Sequence, residues 1–301
     1  MIRLLARLDR LDRRWLYLTL VVAVAFPLFV DVKLPSRMGH EARGLYDAIE
    51  RLDTKSIVLV HSDWDAGTLG ELKGQFTAII AHLFRNNIKF AVISAIPQGP
   101  AFSDEVVDRL AAKYGKKYLD DWVQLGYRIP TSNIAQGIQS LSKDFRGTAP
   151  TEIRENRDVS TIPWLAQVSN CGDFDLLISV SYAPYLEYIQ FGYEVYGTPY
   201  VAGVCSISTT NMYPLMDAGQ LKGMLVGARG GAEYEGIMGL PEYDAQMKAT
   251  EKERKKRWSD LSYATKVIKS QSWAHLLLIF GAIAGNIGAW ARMKEEGKKS
   301  R

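Results

Sequence analysis

The sequence of 301 residues has few of the residue types that most directly indicate a chemical function. It contains two cysteines, Cys171 and Cys205, and four scattered histidines, and the cysteines share no metal-type spacing. Each cysteine lies in or beside an apparent strand, so we expect buried free thiols rather than a disulfide. The cysteines therefore leave the redox compartment open.

The common catalytic and cofactor motifs are also missing. GxSxG, HExxH, GxGxxG and GxxxxGK[ST] are all absent from the sequence. The glycine-rich run at 227–236, GARGGAEYEG, has the wrong spacing for a phosphate loop, and Glu233 and Glu235 would repel an anion at the following helix start. We therefore expect no cofactor, and a non-enzymatic function is favoured over an enzyme.

The sequence shows no strong excess of one charge. The formal net charge of +4 comes largely from the segments that flank the two hydrophobic ends. A nucleic-acid-binding domain would instead concentrate basic residues on its own surface. Membrane lipid, further copies of the chain and other membrane proteins are the expected partners, and nucleic acid is not.

Two long hydrophobic segments stand near the ends of the chain. WLYLTLVVAVAFPLFV at 15–30 carries no charge, and WAHLLLIFGAIAGNIGAWA at 273–291 carries none apart from His275. We predict transmembrane helices over 15–31 and 273–291, with basic tails over 1–14 and 292–301. A cleaved signal peptide is the alternative for the first segment, but the sequence after it has no small-x-small cleavage pattern.

The second hydrophobic segment contains closely spaced glycines. Gly281 and Gly285 form a GxxxG pair, and Gly288 follows them. Small residues let another helix approach closely, so these glycines are candidates for packing on a partner helix or on the first anchor. The alternative is that glycine is simply common in membrane helices.

Positive charges next to the hydrophobic segments predict the orientation. Both tails are rich in arginine and lysine, which favours cytoplasmic ends and an extracytoplasmic domain in the inner membrane of a bacterial cell. The run Arg254, Lys255, Lys256 and Arg257, on the domain side of the second anchor, argues against this orientation. It belongs to a polar, basic and helical linker that we place at 244–271.

The region 41–243 alternates between strand-like and helix-like segments. The apolar runs predict strands at 56–60, 89–94, 122–127, 173–180, 199–206 and 223–226. Helices are predicted at 69–85, 103–112 and 185–193, the second of them capped by Ser103, and an irregular insertion at 131–164. Continuous apolar strands that alternate with helices indicate an α/β domain with a mostly parallel, Rossmann-like or flavodoxin-like sheet.

The carboxyl ends of parallel strands are where α/β proteins usually bind ligands. Asp63 and Asp65 follow the first strand with His61, so a divalent metal is conceivable, although a helix cap and turn is the simpler interpretation. The candidate ligand-binding residues at these strand ends are His61, Asp63, Asp65, Gln98, Ser181 and Ser206. No catalytic residue and no metal ligand is assigned.

Segments along nearly the whole chain resemble a family of bacterial membrane-anchored proteins without an assigned activity. They include LDRRWLYL at 11–18, IVLVHSDWDAGTLGEL at 57–72, GQLKGMLVGARGGAEYE at 219–235 and SWAHLLLIFGAIAGNIGAW at 272–290. The resemblance implies an α/β domain with one transmembrane helix at each end. It also implies an aspartate-rich turn after the first strand, which Asp63 and Asp65 match.

Three functions remain open from the sequence. The favoured one is a non-enzymatic scaffold whose α/β domain mediates homo- or hetero-oligomerisation in a membrane protein complex. The second is a ligand-binding or sensor module that uses the pocket at the strand ends, and the third is a metal-dependent hydrolase built on the same residues. Fold alone cannot decide between them.

Overall fold

The computed structural model describes residues 13–29, 39–129, 131–238 and 263–299. Two compact units make up the chain: Ser36–Thr265 on the one hand, and Met1–Pro35 with Lys266–Arg301 on the other. Most of the predicted linker at 244–271, including its basic run, and most of the N-terminal tail at 1–14 lie outside the described residues.

The larger unit is built on one six-stranded sheet in which all strands are parallel. The strands lie side by side in the order β3-β2-β1-β4-β5-β6. Helices flank this sheet, which confirms the predicted α/β class. The strands are β1 (Ile57–Asp63), β2 (Lys89–Ser94), β3 (Trp122–Tyr127), β4 (Leu176–Ser181), β5 (Tyr200–Val204) and β6 (Met224–Val226).

Strand β1 is longer than the sequence predicts. Its apolar run was expected to end at Val60, with His61 following the strand as a polar turn residue. Instead, pairing with β4 continues to the end of β1, where Asp63 lies opposite Ser181. All seven residues of β1 are buried, so His61 and Asp63 point into the protein and not into a loop.

Of the three helices predicted for the larger unit, only the one at 69–85 has its predicted bounds among the helices of the structure. In the larger unit they are α2 (His40–Glu50), α3 (Leu69–Arg85), α4 (Gly99–Tyr114), α5 (Ile134–Lys143), α6 (Phe145–Thr148), α7 (Glu194–Tyr196), α8 (Tyr213–Asp217) and α9 (Gly227–Met238). The prediction that Ser103 caps a helix was wrong. Helix α4 begins four residues earlier, at Gly99, and the Ser103 hydroxyl donates to the Gly99 carbonyl at 3.0 Å.

Each face of the sheet carries its own hydrophobic core. On one face, α2, α3, α4 and α9 contribute buried side chains such as Leu45, Phe76 and Tyr234. On the other face, the predicted insertion supplies Ile138, Leu141 and Phe145. The insertion is therefore part of the layer that covers this face of the sheet.

The smaller unit contains α1 (Arg13–Phe29) and most of α10 (Tyr263–Lys299). The stretch Tyr263–Lys294 of α10 is long and apolar enough to cross a membrane, whereas α1 contains only the shorter apolar stretch Tyr17–Phe26. The predicted N-terminal span over 15–31 is therefore only partly matched. Within this unit the rings of Phe26 and Trp273 meet edge to face, with 5.8 Å between their centroids.

The first turn of α10 packs within the larger unit. The buried carboxylate of Glu235 accepts hydrogen bonds from the backbone N–H groups of Ala264 and Thr265, at 3.0 and 2.8 Å. The carboxylate thereby accepts from backbone N–H groups that have no acceptor within the helix, because they lie in its first turn. Gly74 of α3 lies directly against Ala264, and a Cβ added at Gly74 would stand 2.5 Å from the Ala264 Cβ.

This contact leads to a prediction about Gly74→Ala. We expect it to lower the free energy of unfolding by about 1–3 kcal/mol, because the added methyl group overlaps Ala264. Gly70→Ala on the same helix is the matched control, since a Cβ at Gly70 meets no atom within 4 Å. It should raise stability by up to about 1 kcal/mol, because alanine favours the helix. Equal effects in denaturant titrations would contradict the close contact.

Candidate functional site

The strand order defines one topological switch point. From β1 the chain builds the sheet towards β3, and β4 then starts the other half on the opposite side of β1. In such sheets the crevice at the carboxyl ends of the two central strands is the usual ligand position. Three candidates from the sequence, His61, Asp63 and Ser181, meet at this point.

Asp63 lies at the centre of a buried hydrogen-bond network. One carboxylate oxygen, Oδ1, accepts from the Ser94 hydroxyl at 2.6 Å and from the Ala95 backbone N–H at 2.7 Å. The other oxygen, Oδ2, accepts from the Tyr185 hydroxyl and lies 3.0 Å from the His61 Nε2. Only 4% of Asp63 is exposed, so these groups replace water around the carboxylate.

The surroundings of Asp63 hold it in the ionised form. Burial alone would raise its pKa, but the charge and hydrogen bond of His61, together with the hydrogen bonds from Ser94 and Tyr185, outweigh burial and lower the pKa to about 2. Burial and the neighbouring Asp63 charge raise the pKa of Tyr185. Tyr185 therefore stays protonated and donates to an aspartate that carries a full charge.

His61 connects this network to a group of tyrosines. Its Nδ1 lies 2.8 Å from the Tyr188 hydroxyl, and its ring stacks on Tyr185 with 4.6 Å between centroids. Burial raises the pKa of Tyr188 well above its ordinary value, so this hydroxyl keeps its proton. His61 is fully buried. The network thus resembles a polar core more than an open catalytic site.

Asp65 is separate from Asp63 in its contacts. Its Oδ1 accepts from the backbone N–H groups of Gly67 and Thr68, at 2.9 and 3.1 Å, just before α3 begins. This is the turn arrangement that was the simpler interpretation from the sequence. In the part of the chain that the structure describes, no group of three His, Cys, Asp or Glu side chains is arranged to hold a metal ion.

The three other candidates are distributed along the same edge. The Ser181 hydroxyl donates to the Ala183 carbonyl at 2.5 Å. The Ser206 hydroxyl and backbone N–H both donate to the Glu71 carboxylate, at 2.7 and 2.8 Å. Gln98 is exposed at the start of α4 and makes no capping bond there. Five of the six candidates therefore have internal hydrogen-bond partners, and Gln98 makes no capping bond.

A cavity of about 480 Å³ lies at the opposite, amino-terminal edge of the sheet. It is lined in part by Arg51, Asp53, Asp175 and Lys222. Two of the lining carboxylates accept hydrogen bonds from the backbone. Asp175 accepts from the Ile57 N–H at 2.8 Å, and Asp53 accepts from the Ser56 N–H at 3.1 Å. This cavity is therefore no part of the site that the sequence predicted.

The carboxyl edge also carries exposed apolar side chains. Tyr182 follows β4 and Ile207 follows β5, and they are 55% and 77% exposed. The Ser208 hydroxyl donates to the Tyr182 carbonyl at 2.8 Å, so the two loops adjoin. Leu186 is exposed nearby in sequence. We refer to Tyr182, Leu186 and Ile207 as the rim patch.

These features define a doubly wound α/β domain with the strand order of dinucleotide-binding folds. Its first strand-to-helix turn lacks the dinucleotide fingerprint, and a Cβ at Gly70 would meet nothing, so no close backbone approach depends on that glycine. No known protein-family model matches the chain, and neither the functionally characterised proteins nor the solved structures contain a match. The resemblance to a membrane-anchored family stays a prediction.

Proposed function

We propose that this protein is a non-enzymatic, membrane-tethered assembly component whose α/β domain mediates contact with further copies of the chain or with other membrane proteins. The observation that carries the proposal is how the side chains at the switch point are used. Its polar side chains are used within the fold, while apolar side chains beside it face water.

The first support comes from the Asp63 network. A ligand site needs polar groups that are free to bind the ligand, or that exchange water for it. At this switch point both Asp63 oxygens, the His61 Nδ1 and the Ser181 hydroxyl already have hydrogen-bond partners in the protein. Releasing them for a ligand would cost the desolvation of each buried group.

The second support comes from the rim patch. Large apolar side chains that group together on a surface are typical of protein contact sites. Aromatic residues such as Tyr182 are also enriched in interfaces. A scaffold whose partner covers Tyr182 and Ile207 would remove both from water without disturbing the polar network below them.

This leads to a prediction for a double substitution, Tyr182→Ser with Ile207→Ser. We expect the full-length protein, extracted in mild detergent, to lose about tenfold or more in association affinity, because truncating side chains that anchor an interface costs about 1 kcal/mol or more each. Val195→Ser is the matched control, since Val195 is 62% exposed but lies outside the rim patch. Unchanged assembly in the double variant would remove the rim patch from the proposal.

The tether is proposed to use both hydrophobic ends in the bacterial inner membrane. The apolar length of α10 supports the C-terminal anchor. The sequence of α1, with Trp15 and Tyr17 suited to the membrane interface, supports the N-terminal one. Arginines and lysines in both tails favour an extracytoplasmic domain. Protease added to intact spheroplasts should cut such a domain, and protection until lysis would reverse the orientation.

A ligand-binding or sensor function is the second candidate. It is favoured by the position of Asp63 at the switch point beneath Tyr185, which is partly exposed and could move aside. A small molecule that binds there should raise the thermal stability of the wild-type protein and not that of Asp63→Asn. If both proteins respond alike, the ligand binds elsewhere.

A further inference from the structure

Helix α10 carries an exposed apolar stripe with the spacing of a coiled-coil seam. Between residues 276 and 293 the steps along this stripe alternate between three and four residues, which is the a/d pattern of a left-handed helix pair. The five apolar members are each 52–62% exposed. The stripe, which we call the seam, consists of Leu276, Ile279, Ile283, Asn286, Trp290 and Met293.

Gly281 and Gly288 of α10 lie on the opposite side of the helix. Gly281 and Gly288 are five residues after Leu276 and Ile283, a step that turns a helix by roughly 140° from each of those seam positions. Gly288 and Ala291 are buried, and a Cβ at Gly285 would meet no atom within 4 Å. The glycine side, which the sequence predicts to pack on another helix, is thus covered at Gly288. The seam is exposed.

Asn286 distinguishes the seam from an ordinary lipid-facing surface. Lipid chains can cover leucine, isoleucine and methionine, but they offer no hydrogen bond to an amide. Asn286 is exposed, and within the described residues its side chain has no hydrogen-bond partner. An amide in the apolar part of a membrane helix favours a partner that can both donate and accept.

We propose that the seam is the contact between two copies of this chain, with Asn286 of each copy hydrogen-bonded to the same residue of the other. The inference rests on the proposed assembly function and names its partner. Two copies inserted in the same direction are parallel, so Asn286 meets Asn286, and an amide is complementary to itself. No charged side chain lies on the seam to select a different partner.

Cysteine cross-linking of the full-length protein in membranes tests this pairing. We expect Ile283→Cys, on the seam, to form a disulfide-linked dimer on mild oxidation, and Leu277→Cys, on the opposite side, to remain monomeric. The wild-type protein is the blank, because Cys171 and Cys205 are buried. A dimer at position 277 and none at position 283 would overturn the seam as the contact.

Asn286→Leu tests the role of the amide. We expect the dimer dissociation constant in detergent to rise by about threefold to twentyfold, the range that interhelical hydrogen bonds support. Leu278→Ala, on the flank of the helix, should change it less. An unchanged constant in Asn286→Leu would overturn the amide pairing.

The two proposals fail in different ways. A particle that contains another protein, with no cross-link at position 283, would overturn the second copy as partner and leave the assembly function standing. A monomer without any partner would overturn both.

Discussion

Replacing Asp63 by alanine is expected to lower the free energy of unfolding by about 3–5 kcal/mol, the cost of breaking a buried charge network by removing one member. The substitution removes the carboxylate that accepts hydrogen bonds from the Ser94 and Tyr185 hydroxyls and from the Ala95 N–H. The same carboxylate lies 3.0 Å from His61. Ser94 and Ala95 are buried, so neither the hydroxyl nor the N–H regains a full hydrogen bond from solvent.

The measurement is guanidinium unfolding of the full-length protein in mild detergent, followed by the fluorescence of the buried Trp64 and Trp122. Asp65→Ala is the control, because Asp65 is partly exposed and holds only its local turn. Its cost should be about 1 kcal/mol. If Asp63→Ala were no more destabilising than Asp65→Ala, the buried network would not stabilise the fold.

Stability should also fall as the pH is lowered from about 6.5 to about 4, because of His82 in α3. His82 is fully buried, with Nε2 2.8 Å from Glu50 and Nδ1 2.6 Å from the Tyr234 hydroxyl. Burial lowers its pKa from 6.5 to about 4, against the opposing effect of the hydrogen bond to Glu50. The neutral ring therefore donates to Glu50 and accepts from Tyr234.

The direction of this pH dependence follows from how the folded and unfolded chains bind a proton at His82. Below pH 6.5 the unfolded chain protonates this histidine, while the folded protein keeps it neutral down to about pH 4. Folding is thus favoured fully above pH 6.5, and about 3 kcal/mol of stability is lost as the pH falls to 4. His82→Gln should lack this part of the slope, whereas His40→Gln, at an exposed position, should keep it. Equal slopes in all three proteins would contradict the buried neutral ring.

Much of the sheet can be predicted from the sequence, because its strands are buried on both faces and read as continuous apolar runs. Strands β2 and β3 and helix α3 have the predicted bounds. The end of β1 could not be predicted in this way, since His61 and Asp63 are polar and their burial depends on partners far away in the chain. Those partners, Ser94 and Tyr185, carry no local signal of their role.

The sequence predicts where the candidate side chains lie, but not which groups they contact. The rule for parallel strands correctly brings His61, Asp63 and Ser181 to one edge. The sequence cannot show whether such side chains face a ligand or one another, because that depends on Tyr185 and Tyr188, which the sequence indicates only as an aromatic helix. The spacing of the seam on α10 is visible in the sequence, whereas its exposure depends on which side of the helix is covered in the structure.

The mass of the purified full-length particle, measured after gentle detergent extraction, tests the assembly function most directly. Native mass spectrometry gives the number of copies and the identity of any other protein from one sample. We expect a particle that contains at least two copies of the 33.7 kDa chain, or one copy together with another membrane protein. A uniform particle that contains one copy and no other protein, at concentrations where membrane complexes persist, would contradict it.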